Sequence, residues 1–210
     1  MKAKIFFLTL VFITTLACSK NNESSTNDQN DKRVNELADL LKSVYGADST
    51  ETTSGQPAPE KSTVQIMHLE RTDSLKLEAL VLKIEKSLVS EFDNKVSAWI
   101  NFCKKQPKTQ MASSYAGLAC KGTNEYNEVL NFCKSHDKDG LLLLFQLINH
   151  SDCLSSRPLL SFLSDLIQSD PELQASSKEV AEEWTFADAA TTPCNAQPIL
   201  LIAKVLNKRF

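Results

Sequence analysis

The fold class is decided by residues 77–103, which read LEALVLKIEKSLVSEFDNKVSAWINFC. Apolar side chains recur every three or four residues through this stretch without a break: Leu77, Val81, Ile84, Leu88, Phe92, Val96, Trp99 and Cys103. This spacing keeps one face of an α-helix turned toward a core. No proline or glycine occurs between Pro59 and Pro107. The stretch therefore predicts one long helix or two nearly collinear helices, with Asp73 as the N-terminal cap.

Five shorter segments further along the chain predict further helices, at residues 125–134, 140–150, 158–168, 176–184 and 198–208. The second contains LLLLFQLI at 141–148 and is apolar nearly all round, which is typical of a buried central helix. None of the segments alternates with the two-residue period of a strand. The sequence predicts an all-α fold, an irregular bundle of about six to seven helices, in a domain spanning residues 63–210.

A faint internal repeat has a period of thirty residues. The segment INFCK at 100–104 recurs as LNFCK at 130–134, and LSFL at 160–163 keeps the phenylalanine in register. Periods of this size suit stacked helical hairpins. Coincidence explains a five-residue match as well, so both interpretations stay open.

The cysteines suggest disulfides, because an exported chain meets an oxidising compartment. Each NFC segment is followed by another cysteine at a spacing that fits a bridge between consecutive helices. These spacings favour Cys103–Cys120 and Cys133–Cys153, with Cys194 left over. The sequence alone does not fix the pairing. If Cys18 were an ordinary cysteine, the six cysteines of the chain could also pair completely.

The first seventeen residues predict an export signal. Lys2 and Lys4 precede the apolar run Ile5–Ile13, and nine residues are too few for a membrane span, which needs about 20. Ala17 followed by Cys18 resembles the end of a bacterial lipoprotein signal, a likeness that covers about twenty residues. The resemblance implies cleavage before Cys18 and attachment of lipid, including palmitate, to that cysteine. The sequence departs from the family's strongest pattern at Thr15, where leucine is usual, and at Leu16, where a small residue is usual.

The resemblance implies an exported protein anchored in a bacterial membrane, which we expect to be the outer membrane. The alternative is plain secretion with cleavage after Ala17. Residues 18–30 favour anchoring, because SKNNESSTNDQN at 19–30 has no apolar residue and predicts a flexible tether between the lipid and the domain.

A short amphipathic helix is predicted at residues 31–45. Val34, Leu37, Leu41 and Val44 form its seam, and Gly46 follows in the usual position past a helix end. Docking on the main domain is the simpler expectation, and self-association is the alternative. Residues 46–62 are rich in Ser, Thr, Pro and Gly and predict a linker.

Charge and motif content exclude several function classes. Without its signal the chain has 21 basic and 26 acidic residues and no basic cluster, which disfavours nucleic acid as a partner. His68, His136 and His150 are scattered and show no ligand spacing, so no metal site and no cofactor is predicted. The segment SHDKDG at 135–140 resembles a calcium-binding loop, but Ser135 and Gln146 stand where acidic ligands are needed. A turn between antiparallel helices is the favoured interpretation of that segment.

No catalytic constellation is present, so the sequence predicts that the protein is not an enzyme. Two function classes fit what remains. The first is a membrane-anchored helical module that binds or scaffolds another envelope protein. The second is a secreted or periplasmic carrier, whose apolar helices at 141–148 and 199–206 would line a cavity for a small hydrophobic ligand.

Overall fold

The computed structural model describes residues 23–45, 68–106, 120–152, 156–180 and 196–210. Within these ranges there are eight helices and no β-strand, which confirms the predicted all-α fold. The helices are α1 Glu23–Tyr45, α2 Arg71–Val81, α3 Lys86–Lys105, α4 Asn124–Ser135, α5 Asp137–His150, α6 Arg157–Ser169, α7 Pro171–Val180 and α8 Gln197–Arg209.

The long periodic stretch folds as two helices, α2 and α3, joined by a tight turn. The backbone N–H groups of Lys83 and Ile84 donate to the carbonyls three residues earlier, so α2 ends in a turn of 3₁₀ geometry. Ile84 is nevertheless buried, and the apolar face therefore continues from one helix to the next. The predicted cap at Asp73 was wrong, because α2 begins at Arg71 and Asp73 lies inside its first turn. Its carboxylate instead accepts a hydrogen bond from the Asn207 side chain at 3.1 Å.

Helix α5 is the centre of the molecule, as its composition predicts. Ten consecutive residues, from Gly140 to Asn149, are buried. Helices α1, α2, α3, α4 and α6 all pack against it. Because every side of this helix is covered, its apolar side chains contribute to the core in all directions.

An aromatic cluster joins α1, α3, α4 and α6. Trp99 is 1 % exposed, and its ring centroid lies 4.9 Å from that of Phe162 and 6.2 Å from that of Tyr126, both edge-on. Tyr126 and Phe162 stack on each other at 4.0 Å, and Tyr45 reaches Trp99 from the end of α1 at 6.4 Å. Edge-to-face and offset ring pairs of this kind add stability beyond the area that they bury.

Helix α1 docks on α3 and α5. Val34, Leu37 and Leu41 are 2 %, 4 % and 0 % exposed, which confirms the docking of the amphipathic helix. The helix is longer than predicted, because it begins at Glu23 and takes in the second half of the expected tether. No proline or glycine occurs between residues 19 and 45, so nothing in the chain stops the helix from extending in that direction.

The segment that resembles a calcium loop is a sharp corner between α4 and α5. His136 alone separates the two helices, and Asp137 adopts a φ of 39°. A Cβ at Gly140 would lie 2.6 Å from the Cα of Cys133, so only glycine allows the two helices to approach this closely. Ser135 and residues 137–140 belong to the two helices, so the segment cannot wrap around an ion as a calcium loop does. The favoured interpretation, a turn between two helices, is confirmed.

Helix α7 begins earlier than predicted, at Pro171 instead of Ser176, and residues beyond 180 lie outside the described ranges. The Asp170 carboxylate caps it, because Oδ1 accepts from the N–H groups of Glu172 and Leu173 at 2.8 and 3.1 Å. Proline in the first helical position after this cap completes a common helix start.

The thirty-residue repeat has a structural counterpart in two of its three copies. Cys103 in α3 and Cys133 in α4 both lie two residues before the end of their helix, on the buried face. The third copy lies in the middle of α6, where Leu163 is far from the helix end. The similarity between α3 and α4 therefore does not extend to α6.

Replacing Leu41 by alanine tests the docking of α1. Leu41 is fully buried, and a leucine-to-alanine change at such a site costs about 2–5 kcal/mol. Leu200 on α8 is 55 % exposed and provides the matched control, for which we expect a change within about 0.5 kcal/mol. Urea denaturation measures the free energy of unfolding of both variants. Equal values for Leu41→Ala and Leu200→Ala would contradict the docked position of α1.

Candidate functional site

A polar clamp holds α1 in its docked position. The guanidinium of Arg33 donates to Asp93 Oδ1 on α3 at 2.5 Å, to Gln146 Oε1 on α5 at 3.0 Å, and to Asn30 Oδ1 on its own helix at 2.7 and 3.1 Å. One side chain thus joins three helices. We call Arg33, Asp93, Gln146 and Asn30 the Arg33 clamp.

The clamp lies largely away from water, which limits what it adds to stability. The side chains of Arg33 and Asp93 are 19 % and 18 % exposed. Burial raises the pKa of Asp93 by more than the charge and the hydrogen bond of Arg33 lower it. Gln146 is 1 % exposed, and its Nε2 has no hydrogen-bond partner among the described residues. Because desolvation offsets much of the attraction, the clamp specifies where α1 docks more than it stabilises the docked state.

A second polar anchor fixes the start of α2 on the end of α5. The side chain of Asn149 accepts from the backbone N–H of Leu69 at 2.8 Å and donates to Ser74 Oγ at 3.1 Å. The backbone carbonyl of Asn149 lies 2.6 Å from His68 Nδ1. Asn149 is 3 % exposed, and Ser151 is fully buried. The sequon Asn149-His150-Ser151 is therefore part of the core and not a site for glycosylation.

Beside the Arg33 clamp, the fold brings together three side chains that can bind a metal. Asp31 on α1, Glu78 on α2 and His150 on α5 place one ligand atom each within 4.8 Å of the other two. His150 Nδ1 lies 3.4 Å from Asn35 Oδ1. These residues are far apart in the sequence and follow no ligand spacing, so only the packing of the three helices reveals the cluster.

The structure describes three of the cysteines, Cys103, Cys120 and Cys133. Cys103 and Cys120 form a disulfide that closes the connection between α3 and α4. Cys133 is a free thiol in the structure, buried at the α4–α5 corner, and burial raises its pKa to about 12. It therefore does not form the expected bridge to Cys153. Cys153 lies outside the described residues, as do Cys194 and the lipidation candidate Cys18.

Two surface clefts meet at the end of α8, with volumes of about 420 and 600 Å³. Residues of α4, α5, α6, α7 and α8 line the first cleft, and residues of α5, α7 and α8 line the second. Arg209 borders both clefts and pairs with Asp170 at 2.7 Å, Asp137 at 2.9 Å and Glu172 at 3.3 Å. Its ion pairs with three acidic residues hold the end of α8 against α5 and α7. The clefts are thus lined in part by charged groups and are unsuited to a hydrophobic ligand.

Large apolar side chains are exposed on and next to α2 and on α8, which pack against each other. They are Leu75, Leu82 and Leu200, at 54 %, 40 % and 55 % exposure. Lys76 Nζ donates to the carbonyl of Leu206 at 2.7 Å and fixes the two helices to each other. Single exposed leucines are common on folded domains and carry little information by themselves. Because the core around α5 is filled by protein side chains, these leucines are the candidate binding surface of the described residues.

Comparison with known proteins adds no relative, because no family model, no curated protein and no solved structure matches the chain. Among the described helices, none is long and apolar enough to cross a membrane.

Replacing Arg33 by methionine tests the clamp. The change keeps an apolar stem but leaves Asp93 and Gln146 without their shared donor. We expect a loss of about 1–3 kcal/mol in the free energy of unfolding, because the change leaves buried polar groups of Asp93 and Gln146 without a partner. Amide hydrogen exchange along α1 should accelerate in the same variant, because the helix loses its polar link to α3 and α5.

The matched control is Lys32→Met on the same helix. Lys32 pairs only with Glu36 across an exposed surface, and its loss should change stability by less than about 1 kcal/mol. Unchanged exchange along α1 in Arg33→Met would show that the clamp does not hold the helix.

Proposed function

We propose that the protein is a bacterial lipoprotein, anchored in the envelope through a lipidated Cys18, whose helical domain binds or scaffolds another envelope protein. The basic and apolar start of the chain and Ala17-Cys18 support the anchor, with the departures at Thr15 and Leu16 noted above. The lipid supplies the attachment to the membrane.

The observation that carries the binding role is the filled core. The segment 141–148, predicted as a candidate cavity wall for a carrier, is buried on every side by protein. The second candidate wall is split: Leu201, Ile202, Val205 and Leu206 are buried in the core, and Leu200 points to solvent. A carrier needs an enclosed apolar cavity, whereas a binding module needs an exposed surface on a rigid body. The described residues favour the second arrangement.

The docked helix α1 gives the anchored domain a defined reach. Four residues, Ser19 to Asn22, separate Cys18 from the start of α1, and four residues span at most about 14 Å. The docked domain therefore lies close to the membrane surface. A partner in the same membrane, or at its surface, fits this geometry best.

Replacing Cys18 by alanine tests the anchor. The variant should leave the membrane pellet and appear in the soluble fraction with unchanged circular dichroism, because the helical domain lies elsewhere in the chain. Ser19→Ala is the matched control and should stay in the pellet. Intact-mass analysis of the wild type should show acyl chains on a protein that begins at Cys18. An acyl-free terminus, or a Cys18→Ala protein that stays in washed membranes, would contradict the anchor.

Site-specific photo-cross-linking tests the binding role. A photoreactive residue in place of Leu75 or Leu200 should give discrete cross-linked products with an envelope protein in cells. Asn131 is exposed on α4 and serves as the control position, from which we expect no discrete product.

The carrier alternative has its own readout. Native mass spectrometry of the purified domain should show no retained lipid and no one-to-one complex after addition of a fatty acid or phospholipid. A stable one-to-one complex would support the carrier and contradict the binding module.

A further inference from the structure

We infer that Asp31, Glu78 and His150 form a binding site for a divalent transition-metal ion, with zinc as the best fit. One ligand atom of each side chain lies within 4.8 Å of the others, and the residues come from α1, α2 and α5. Two carboxylate oxygens and one imidazole nitrogen suit zinc, which binds three protein ligands and keeps one position for water in open sites. All three side chains retain some access to solvent, so an ion can reach them.

The charges of the cluster favour a cation. None of the ion pairs formed among the described residues includes Asp31 or Glu78. Two neighbouring carboxylates without a cation between them repel each other, and a divalent ion would remove that repulsion.

Nearby basic groups do not replace the ion. The guanidinium of Arg33 already donates to Asp93, Gln146 and Asn30. The Nδ1 atom of His68 lies against the carbonyl of Asn149. Both basic groups are therefore engaged elsewhere, and the side-chain partner of Glu78 is the neutral hydroxyl of Ser74, which donates to Oε1 at 3.4 Å.

His150 is suited to act as a neutral ligand. An imidazole binds a metal in its neutral form, through a ring nitrogen. Asn35 Oδ1 lies 3.4 Å from His150 Nδ1, close enough to accept a hydrogen from it in the tautomer that carries its hydrogen on Nδ1. Acceptors of this kind commonly orient histidine ligands in metal sites.

The location of the site gives the ion a structural consequence. A bound ion would join α1 to α2 and α5, next to the Arg33 clamp. Because the site is complete only when α1 is docked, the ion at concentration c would stabilise the docked state by RT ln(1 + c/Kd), an effect that grows with the logarithm of its concentration.

Isothermal titration of zinc chloride into the untagged chain tests the inference. The protein starts at residue 18, carries Cys18→Ala so that it is soluble, and keeps its disulfide. We expect one zinc ion per chain. Asp31→Asn, Glu78→Gln and His150→Gln should each weaken binding by at least about tenfold, since even residues that only orient ligands have effects of this size. Asp39→Asn removes an exposed acid from the same helix and should bind zinc like the parent protein.

A second readout separates this site from adventitious binding. Zinc should slow amide exchange along α1 in the parent protein and leave it unchanged in Glu78→Gln, a variant whose fold is checked by circular dichroism without zinc. Absence of stoichiometric binding would overturn the inference. Binding that survives all three substitutions would also overturn it, because the ion would then lie elsewhere. Neither result bears on the lipid anchor or on the cross-linking partner.

Discussion

Complete enclosure of α5 is the constraint on which the rest of the structure depends. Ten buried residues in succession require partners on every side, and five other helices supply them. Two of the ten, Gln146 and Asn149, are polar and need hydrogen bonds inside the core. Gln146 accepts from Arg33 on α1, and Asn149 bonds the start of α2. The polar residues of the central helix therefore decide which neighbours dock at its C-terminal half.

The docking of α1 links this core to the proposed function. In the proposed anchored form, four residues separate the lipidated Cys18 from the start of α1, so a docked α1 keeps the domain close to the membrane. If α1 detached from α3 and α5, the distance between the anchor and the domain could increase. Under this proposal, the position of one helix sets how far from the membrane the domain can find a partner. Contacts that bias α1 between these two states would control that distance.

The sequence predicts most of the fold, because the fold depends on apolar periodicity. The positions at 77–103 and the apolar run at 141–148 identify the core helices, and both predictions are confirmed. Helix starts were less predictable: Asp73 was predicted as a cap and Ser176 as the first residue of a helix, yet both helices begin earlier, at Arg71 and Pro171. The Arg33 clamp and the cluster around His150 follow from tertiary packing alone. Their members are far apart in the chain and belong to different helices, so no local pattern marks them.

The C-terminal half of α5 contributes Gln146 to the Arg33 clamp, Asn149 to the anchor of α2 and His150 to the metal-binding cluster. Two of these three sites hold α1, so they bear on how stable its docked position is. The apolar face of α1 buries only a few large side chains for a helix of 23 residues. Its polar contacts add little net stability, because the cost of removing the charged groups from water offsets much of their attraction. The pKa of Asp93 is raised by this burial in spite of Arg33. When the docked state of a helix is not much lower in free energy than the detached state, any ligand that binds the docked state preferentially can shift the balance between the two. Arg33 on α1 belongs to the Arg33 clamp, and Asp31 on the same helix belongs to the cluster with Glu78 and His150. Helix α1 is therefore the element through which such a ligand would act.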